Sequence, residues 1–440
     1  MPWRWIAVIA LPLAALPAAA QTAALTEVVK PGDCFEVRLD MKLSGELRIR
    51  KDDAPSTVKL SASGQHSFTE RFTAHAADGQ RSVRYYDVAK ASITAGKDTT
   101  ERSLREKRRL VVAQRHKDAR LVYSPTGALT RGELEVAGDH FDTLLLPALL
   151  PGKEVKAGEA WSLSAAVAAS LCNLEGVTES KLEGKLTKVV VDQAHFTLSG
   201  TVSGIEQGAA VKVKAQAEGV FDLRSKRLVK LEWSQEDERD QGPVSPASTM
   251  KVSVTMSRKQ VEAPEKLNDI ALVPVPDGFA PPSAMTHVEH RDDKGRFLLF
   301  HAREWQVVAV TEGHTVLRLV ERGELVAQAT IAPWDKGKGG KPMSMDDFRT
   351  AVNTTSGWRP EREVQADKIP SSDGKTIYRL SVLGQLDGVA VLQTFFLVAN
   401  GGGDQVVITF TMPPKNADKL GARDLSLAGS LELPAPAEKK

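Results

Sequence analysis

KLEGKLTKVVVDQAHFTLSGTVSGIEQGAAVKVKAQAEGVFDLRSKRLVKLEWS, residues 181–234, decides how the chain is read. Apolar and polar residues alternate through it, most regularly in VKVKAQAEGVF (211–221). A period of two belongs to strands with one buried face. The spacing predicts strands at 182–191, 195–205, 210–223, 228–234 and 250–256. Asp192-Gln193, Glu206-Gln207-Gly208 and Arg224-Ser225-Lys226 suit the hairpin connections between them. Long antiparallel strands of this kind twist and curl into an open, barrel-like sheet with an apolar concave face. Its stripe comprises Leu186, Val190, Phe196, Leu198, Val202, Val211, Val213, Phe221, Leu231 and Trp233. Such a stripe is either a filled core, capped by the leucine-rich stretch 144–150, or the wall of a cavity for an apolar ligand. On the second reading the candidate lining is Leu186, Val190, Phe196, Leu198, Val213, Phe221 and Trp233.

Upstream, residues 35–39, 43–49 and 58–63 alternate in the same way. The charged stretch TTERSLREKRRLVVAQR (99–115) follows. Its basic residues Arg105, Lys107, Arg108 and Arg109 are interleaved with Glu101 and Glu106, which marks a solvated face beside a strand at 110–113. Thr130 followed by Glu133 forms a capping box for a short helix, and residues 139–146 continue helical until Pro147. Residues 165–172 form a short alanine-rich helix.

At 440 residues, with 42% apolar and 26% charged residues, the chain is globular and long enough for more than one core. Its 58 basic and 56 acidic residues give a net charge of +2 and no electrostatic footprint for nucleic acid. MPWRWIAVIALPLAALPAAAQ has a charge at Arg4, an apolar run over 6–16, and small residues at Ala18 and Ala20. These are the parts of a secretory signal peptide cleaved after Ala20. The run is too short to span a bilayer, so the mature chain is expected to be secreted or periplasmic and not membrane-spanning. In an oxidising compartment Cys34 and Cys172 either form a disulfide or remain two separate buried thiols.

Residues 261–284 contain five prolines, which disfavour helix and sheet alike and mark a linker. The expected organisation is a signal peptide (1–20), an antiparallel β domain (21–258), a Pro-rich linker (259–285) and a second domain (286–440). In the last, strands are expected at 297–301, 305–311, 315–320, 325–332, 376–383, 389–398 and 405–411. Ser344 and Asp347 cap one helix, and 416–431 forms another with Leu420, Leu427 and Leu431 facing inward. The fold class is therefore α+β. DDKGRFLLFHAREW, GELVAQATIAPW, SMDDFRTAV and VLQTFFLVANGGGDQVVITFT, in that order before a closing helix, resemble the PsbP-like superfamily, including its DcrB-type envelope proteins. The resemblance covers roughly the last third and implies an α/β/α sandwich used for binding or assembly. YSPTGALTRGELEV, LLPALLPGKEVKAGEAW and DERDQGPVSPA resemble secreted proteins of planctomycete-type bacteria, a likeness that brings no known activity with it.

HVEHRDDKGRFLLFHAREW (287–305) is the stretch richest in catalytic residue types, with His287, His290, His301, Glu289, Asp292, Asp293 and Glu304. Asp293-Lys294-Gly295 reads as a turn, and Phe297, Leu299 and His301 share one strand face, so the stretch is expected to be a hairpin with a satisfied, partly buried histidine. The chain contains no G-x-S-x-G elbow, H-E-x-x-H pair, Walker loop or dinucleotide fingerprint. GKGGKP (337–342) lacks the Ser or Thr that a phosphate loop needs, and the pairs Asp292-Asp293 and Asp346-Asp347 point adjacent carboxylates apart. The sequence thus describes an exported, non-enzymatic binding or assembly protein of a bacterial envelope, without cofactor, whose partner is a protein, lipid or wall component. The alternatives are a carrier of an apolar ligand in the first domain and a metal-dependent hydrolase using the His287 region.

Overall fold

The computed structural model describes residues 21–51, 54–76, 79–116, 119–138, 141–243 and 245–435. The expected signal peptide lies outside them. The first part of the chain supplies β1 (Cys34–Lys51), β2 (Ala54–Ala76), β3 (Gly79–Ala95), β4 (Leu110–His116) and β5 (Ala119–Tyr123). A second series follows: β6 (Glu183–Val190), β7 (Gln193–Glu206), β8 (Ala209–Asp222), β9 (Arg227–Arg239) and β10 (Ala247–Val261). They join in a 13-stranded sheet, ordered Ala160–Ser162, β6, β7, β8, β9, β10, β1, β2, β3, β4, β5; Gly176–Ser180 adds to β7 and Asp98–Ser103 to β3. The two series meet where β10 pairs antiparallel with β1, from Ala247↔Arg48 to Val261↔Cys34. The outermost strands do not pair with each other, so the sheet is open.

Strict alternation makes this a one-faced sheet: along β8 every second residue is buried and its neighbours face outward. The buried face forms one cluster that includes Phe35, Phe68, Phe196, Phe221 and Trp233. Its cover is the three-ten helix Thr143–Leu149, with Leu144, Leu146 and Leu149, together with α2 (Ala165–Leu171). The cover is latched by buried charge. Asp142 accepts from the Leu144 amide at 3.2 Å and pairs with Arg84 at 3.7 Å and Arg115 at 3.2 Å. Arg84 also donates to Thr143 Oγ1 at 2.9 Å, and Thr143 donates to Glu70 at 2.7 Å. Ahead of the cover, α1 (Arg131–Gly138) starts with the expected capping box: Glu133 N donates to Thr130 Oγ1, and Thr130 N to Glu133 Oε2.

The proline-rich segment lies on the opposite face of the same sheet. Leu267 is fully buried against Val83, Val112 and Tyr123. Arg71 donates to the Leu267 carbonyl at 2.8 Å, and Arg81 to that of Pro276 at 2.9 Å. Phe279 stacks on His116 with ring centroids 5.1 Å apart.

Beyond it, β11 (Val288–Arg291) and β12 (Leu298–His301) form the hairpin read from the sequence, with Gly295 at φ +67° in its turn. The hairpin belongs to a four-stranded sheet that includes Leu129–Thr130 of the first part, parallel to β11. Arg105 ties the junction, reaching Glu133 at 2.7 Å and Glu289 at 3.0 Å. The remaining strands are β13 (Trp305–Val310), β14 (Thr315–Glu321), β15 (Glu324–Trp334), β16 (Trp358–Ile369), β17 (Thr376–Leu386), β18 (Val389–Ala399) and β19 (Gln405–Met412). They form a seven-stranded sheet ordered β13-β14-β15-β19-β18-β17-β16. α3 (Met345–Asn353), capped by Ser344 Oγ on the Asp347 amide, packs Phe348 and Val352 against one face. α4 (Ala417–Leu420) and α5 (Arg423–Gly429) pack Leu420 and Leu427 against the other.

The α+β expectation is corrected: strands make up 57% and helices 14%, which is a β-rich fold of open antiparallel sheets. Two local causes stand out. The segment expected as one helix over 416–431 is broken at Gly421 (φ +59°), and Leu431 ends in a two-stranded contact with Leu299. The stretch 143–149 is three-ten, with Pro147 inside it. The strands, by contrast, run longer than expected: β1 passes unbroken through residues 40–42, between the strands expected at 35–39 and 43–49. Gly45 is needed inside β1 because a β-carbon there would meet the Thr249 carbonyl and the Met250 side chain.

Candidate functional site

The cover of the 13-stranded sheet is shorter than the sheet's apolar face. Where β1, β2, β3, β9 and β10 run past it, inward residues align in rows fixed by the strand register. One row is Ile93, Ala62, Leu43, Val252 and Gln235; the next is Ala91, Gly64, Met41, Val254 and Trp233. Met41, Leu43, Leu60, Ala62, Ile93 and Val252 are only half-buried, although each points to the core side. Two concavities open on them. One, of about 350 Å³, lies against Phe141, Leu171 and Cys172; the other, of about 260 Å³, lies against Val136 and His66. They share Met41, Leu43 and Val252 and so constitute one apolar groove between the two pieces of cover. The larger volume falls within the ~300–1,000 Å³ range of small-molecule sites.

One end of the groove is polar. Along β9 the inward series Trp233, Gln235, Asp237, Arg239 passes from a buried indole to charge. Trp233 Nε1 donates to Gln235 Oε1 at 2.7 Å, and Gln235 Nε2 donates to both Asp237 oxygens at 3.0 and 2.8 Å. Burial pushes the Asp237 carboxyl up to about 6. Arg239 is paired with Glu206 at 3.1 Å. At the other end Arg102 pairs with Glu135, and His66 Nε2 donates to the Val136 carbonyl at 2.8 Å, its imidazole held neutral by burial, with a pKa lowered to about 4. A further concavity, about 680 Å³, is a trough of short outward side chains such as Ser44, Ser63 and Ser253 beside Lys42 and Lys251. Its lining is mostly serine and lysine, so we place the candidate site in the smaller apolar groove.

Of the lining residues read from the sequence, Leu186, Phe196, Leu198, Val213 and Phe221 are at most 2% exposed and belong to the filled core. Trp233 alone reaches the groove. Val190 is a correction: it is 48% exposed. A bulge between Leu186 and Lys188 reverses the alternation, so Val189, not Val190, turns to the core. Met41, Leu43, Leu60, Ala62 and Ile93 were missed as lining; their signal is the alternation of β1 to β3, but only the register brings them together.

Cys34 and Cys172 are not bridged: both are free and buried, Cys34 at the start of β1 and Cys172 after α2. Cys34 Sγ donates to the Gly32 carbonyl at 3.5 Å, while Cys172 faces the groove. Burial raises both thiols, Cys172 to about 12, which leaves neither as a thiolate nucleophile. In the hairpin, Glu289 is taken by Arg105 and Arg291, and Asp292 by Arg296. His290 Nε2 meets Thr315 Oγ1 at 3.3 Å. His301 Nδ1 donates to the Ala302 carbonyl at 2.9 Å, while its buried Nε2 has no hydrogen-bond partner among the described residues, so this histidine is half satisfied. Among the described residues, no three His, Cys, Asp or Glu side chains converge as a metal site would require.

No family model matches the chain, and no curated protein matches it. Among solved structures it is similar to the PsbP protein of the cyanobacterium Synechocystis (16% identity, TM-score 0.27, covering 37% of this chain and 99% of that one). It is also similar to the Ran-binding protein Mog1p of Saccharomyces cerevisiae (11%, 0.25, 33% and 95%) and to lipovitellin (9%, 0.31, 53% and 26%). The similarity to PsbP thus extends over part of the chain, at low identity.

Proposed function

We propose that this chain is an exported, non-enzymatic binding protein whose first domain holds an apolar chain in the groove on Met41, Leu43, Ala62 and Val252. In this reading residues 1–20 are a cleaved leader, residues 21–258 carry the groove, the strap 259–285 leads to the second domain, and 286–440 is a PsbP-like assembly module of the envelope. The observation that supports it is the half-burial of core-facing residues in an otherwise well-packed sheet. Water-exposed apolar surface of this kind costs about 25 cal/mol per Å², and a ligand that covers it recovers that energy. Each buried methylene of an acyl chain contributes about 0.8 kcal/mol, so a chain of moderate length suffices for micromolar binding.

The test is titration of the protein with an uncharged fluorescent apolar probe. Saturable binding is expected for the natural chain and at least tenfold weaker binding for Ala62→Trp, which places an indole in the middle of the groove floor. Absence of saturable binding, or equal binding by Ala62→Trp, would overturn the reading.

A further inference from the structure

We propose that the groove selects single-chain amphiphiles with a cationic, ammonium-type headgroup, seated against Asp237. This rests on the groove reading above and specifies its ligand class. The inward series of β9 supplies an axis: Trp233 is packed in the core, and Gln235 and Asp237 follow at two-residue steps on the same face. A chain lying along the apolar rows therefore meets Asp237 as it leaves them, in the row that carries Leu60, Gly45, Met250 and Val213.

At this end Asp237 has no ion-pair partner among the described residues, since Arg239 pairs with Glu206 and Arg120 with Asp142. Asp237 and Glu206 line this end together with two guanidiniums, Arg239 and Arg120. Arg239 gives Nη1 to Glu206 at 3.1 Å and Nη2 to the Pro246 carbonyl at 3.3 Å. Asp237 accepts its hydrogen bonds from Gln235, a neutral amide. On the facing wall, Arg120 lies 3.6 Å from Asp142, and Cys172 is a neutral thiol. At the far end of the groove Arg102 and Glu135 pair with each other. A carboxylate held away from water without a cation is costly, and a cation brought by the ligand removes that cost. An anionic headgroup at the same place would add a third negative charge next to Asp237 and Glu206.

The experiment uses the full chain and the apolar probe already described, displaced by dodecylamine, dodecanol or dodecanoic acid below their micelle concentrations at pH 8. Dodecylamine is expected to displace the probe at least tenfold more effectively than dodecanoic acid, with dodecanol between them. Asp237→Asn keeps the side-chain shape and one oxygen to accept from Gln235 Nε2; with displacement referred to each protein's own probe affinity, it should bring dodecylamine within twofold of dodecanol. Equal or better displacement by dodecanoic acid, or an amine preference that survives Asp237→Asn, overturns the headgroup assignment while leaving the groove intact. Absence of probe binding overturns both.

Discussion

The two large sheets solve the same problem differently. In the seven-stranded sheet, β18 is buried on both faces from Gln393 onward: Phe396 and Val398 pack with Phe410 and Ile408 on one side, while Phe395 and Leu397 pack with Phe348 and Leu380 on the other. In the 13-stranded sheet, β8 is buried on one face alone, and that face extends past its cover. A two-faced strand has no apolar surface left to offer, and its residues act through stability. A one-faced strand that outruns its cover keeps apolar surface available, which is the surface the proposed binding uses.

The sharpest way to break this contrast is a pair of truncations. Phe410 is fully buried, with its ring centroid 5.7 Å from those of Phe396 and Trp305. Phe410→Ala should destabilise the second part by about 3–5 kcal/mol. Leu43, half-buried on the groove floor, has open space on one side, and Leu43→Ala should cost about 1 kcal/mol or less. Chemical denaturation, followed by tryptophan fluorescence, measures both. Similar losses at the two sites would mean that the groove is part of a closed core.

Much of this architecture was legible, and the failures have physical causes. Capping at Thr130–Glu133 and Ser344–Asp347 is local chemistry, so it could be read without knowing what lies nearby. The meander from β6 to β10 was legible because one-sided burial writes a period of two into the residues. The bulge after Leu186 left no comparable mark, and it moved Val190 to the surface. The groove depends on pairings far apart in the chain, such as Leu43 with Ala62 and Val252, which alternation cannot supply. Asp237 was hidden for another reason: a polar residue on a core-facing position reads as the end of a strand, whereas β9 runs on to Arg239.

A second contrast concerns acid. His66 in the first part and His301 in the second are both pushed down to about 4 by burial. The unfolded chain takes up those protons near pH 6.5, the folded chain only near 4. Stability must therefore fall as pH drops through this interval, by up to about 3 kcal/mol for each histidine at its lower end. Denaturation midpoints between pH 7 and 4 should show this slope, and His66→Gln and His301→Gln should each flatten it. A slope untouched by either replacement would locate the acid sensitivity elsewhere.

Asp237 should behave in the opposite sense. Its folded pKa, about 6, lies above the ordinary carboxylate value, so the folded state favours the protonated form. Below pH 4 the group is neutral in both states and costs nothing. As pH rises through 4 to 6, the unfolded chain ionises first, and stability is lost until the folded carboxyl has ionised as well. The loss is about 1 kcal/mol once solvent at the open groove is allowed for, and it is smaller than the histidine effect. Asp237→Asn should accordingly stabilise the first part at pH 8 by about that amount and leave it unchanged at pH 3.5. An Asp237→Asn variant less stable than the natural chain at pH 8 would mean that the carboxylate is held by a cation within the fold. The polar end of the groove would then be structural, and the contrast between a sheet that packs and a sheet that binds would fail at the residue where it is most specific.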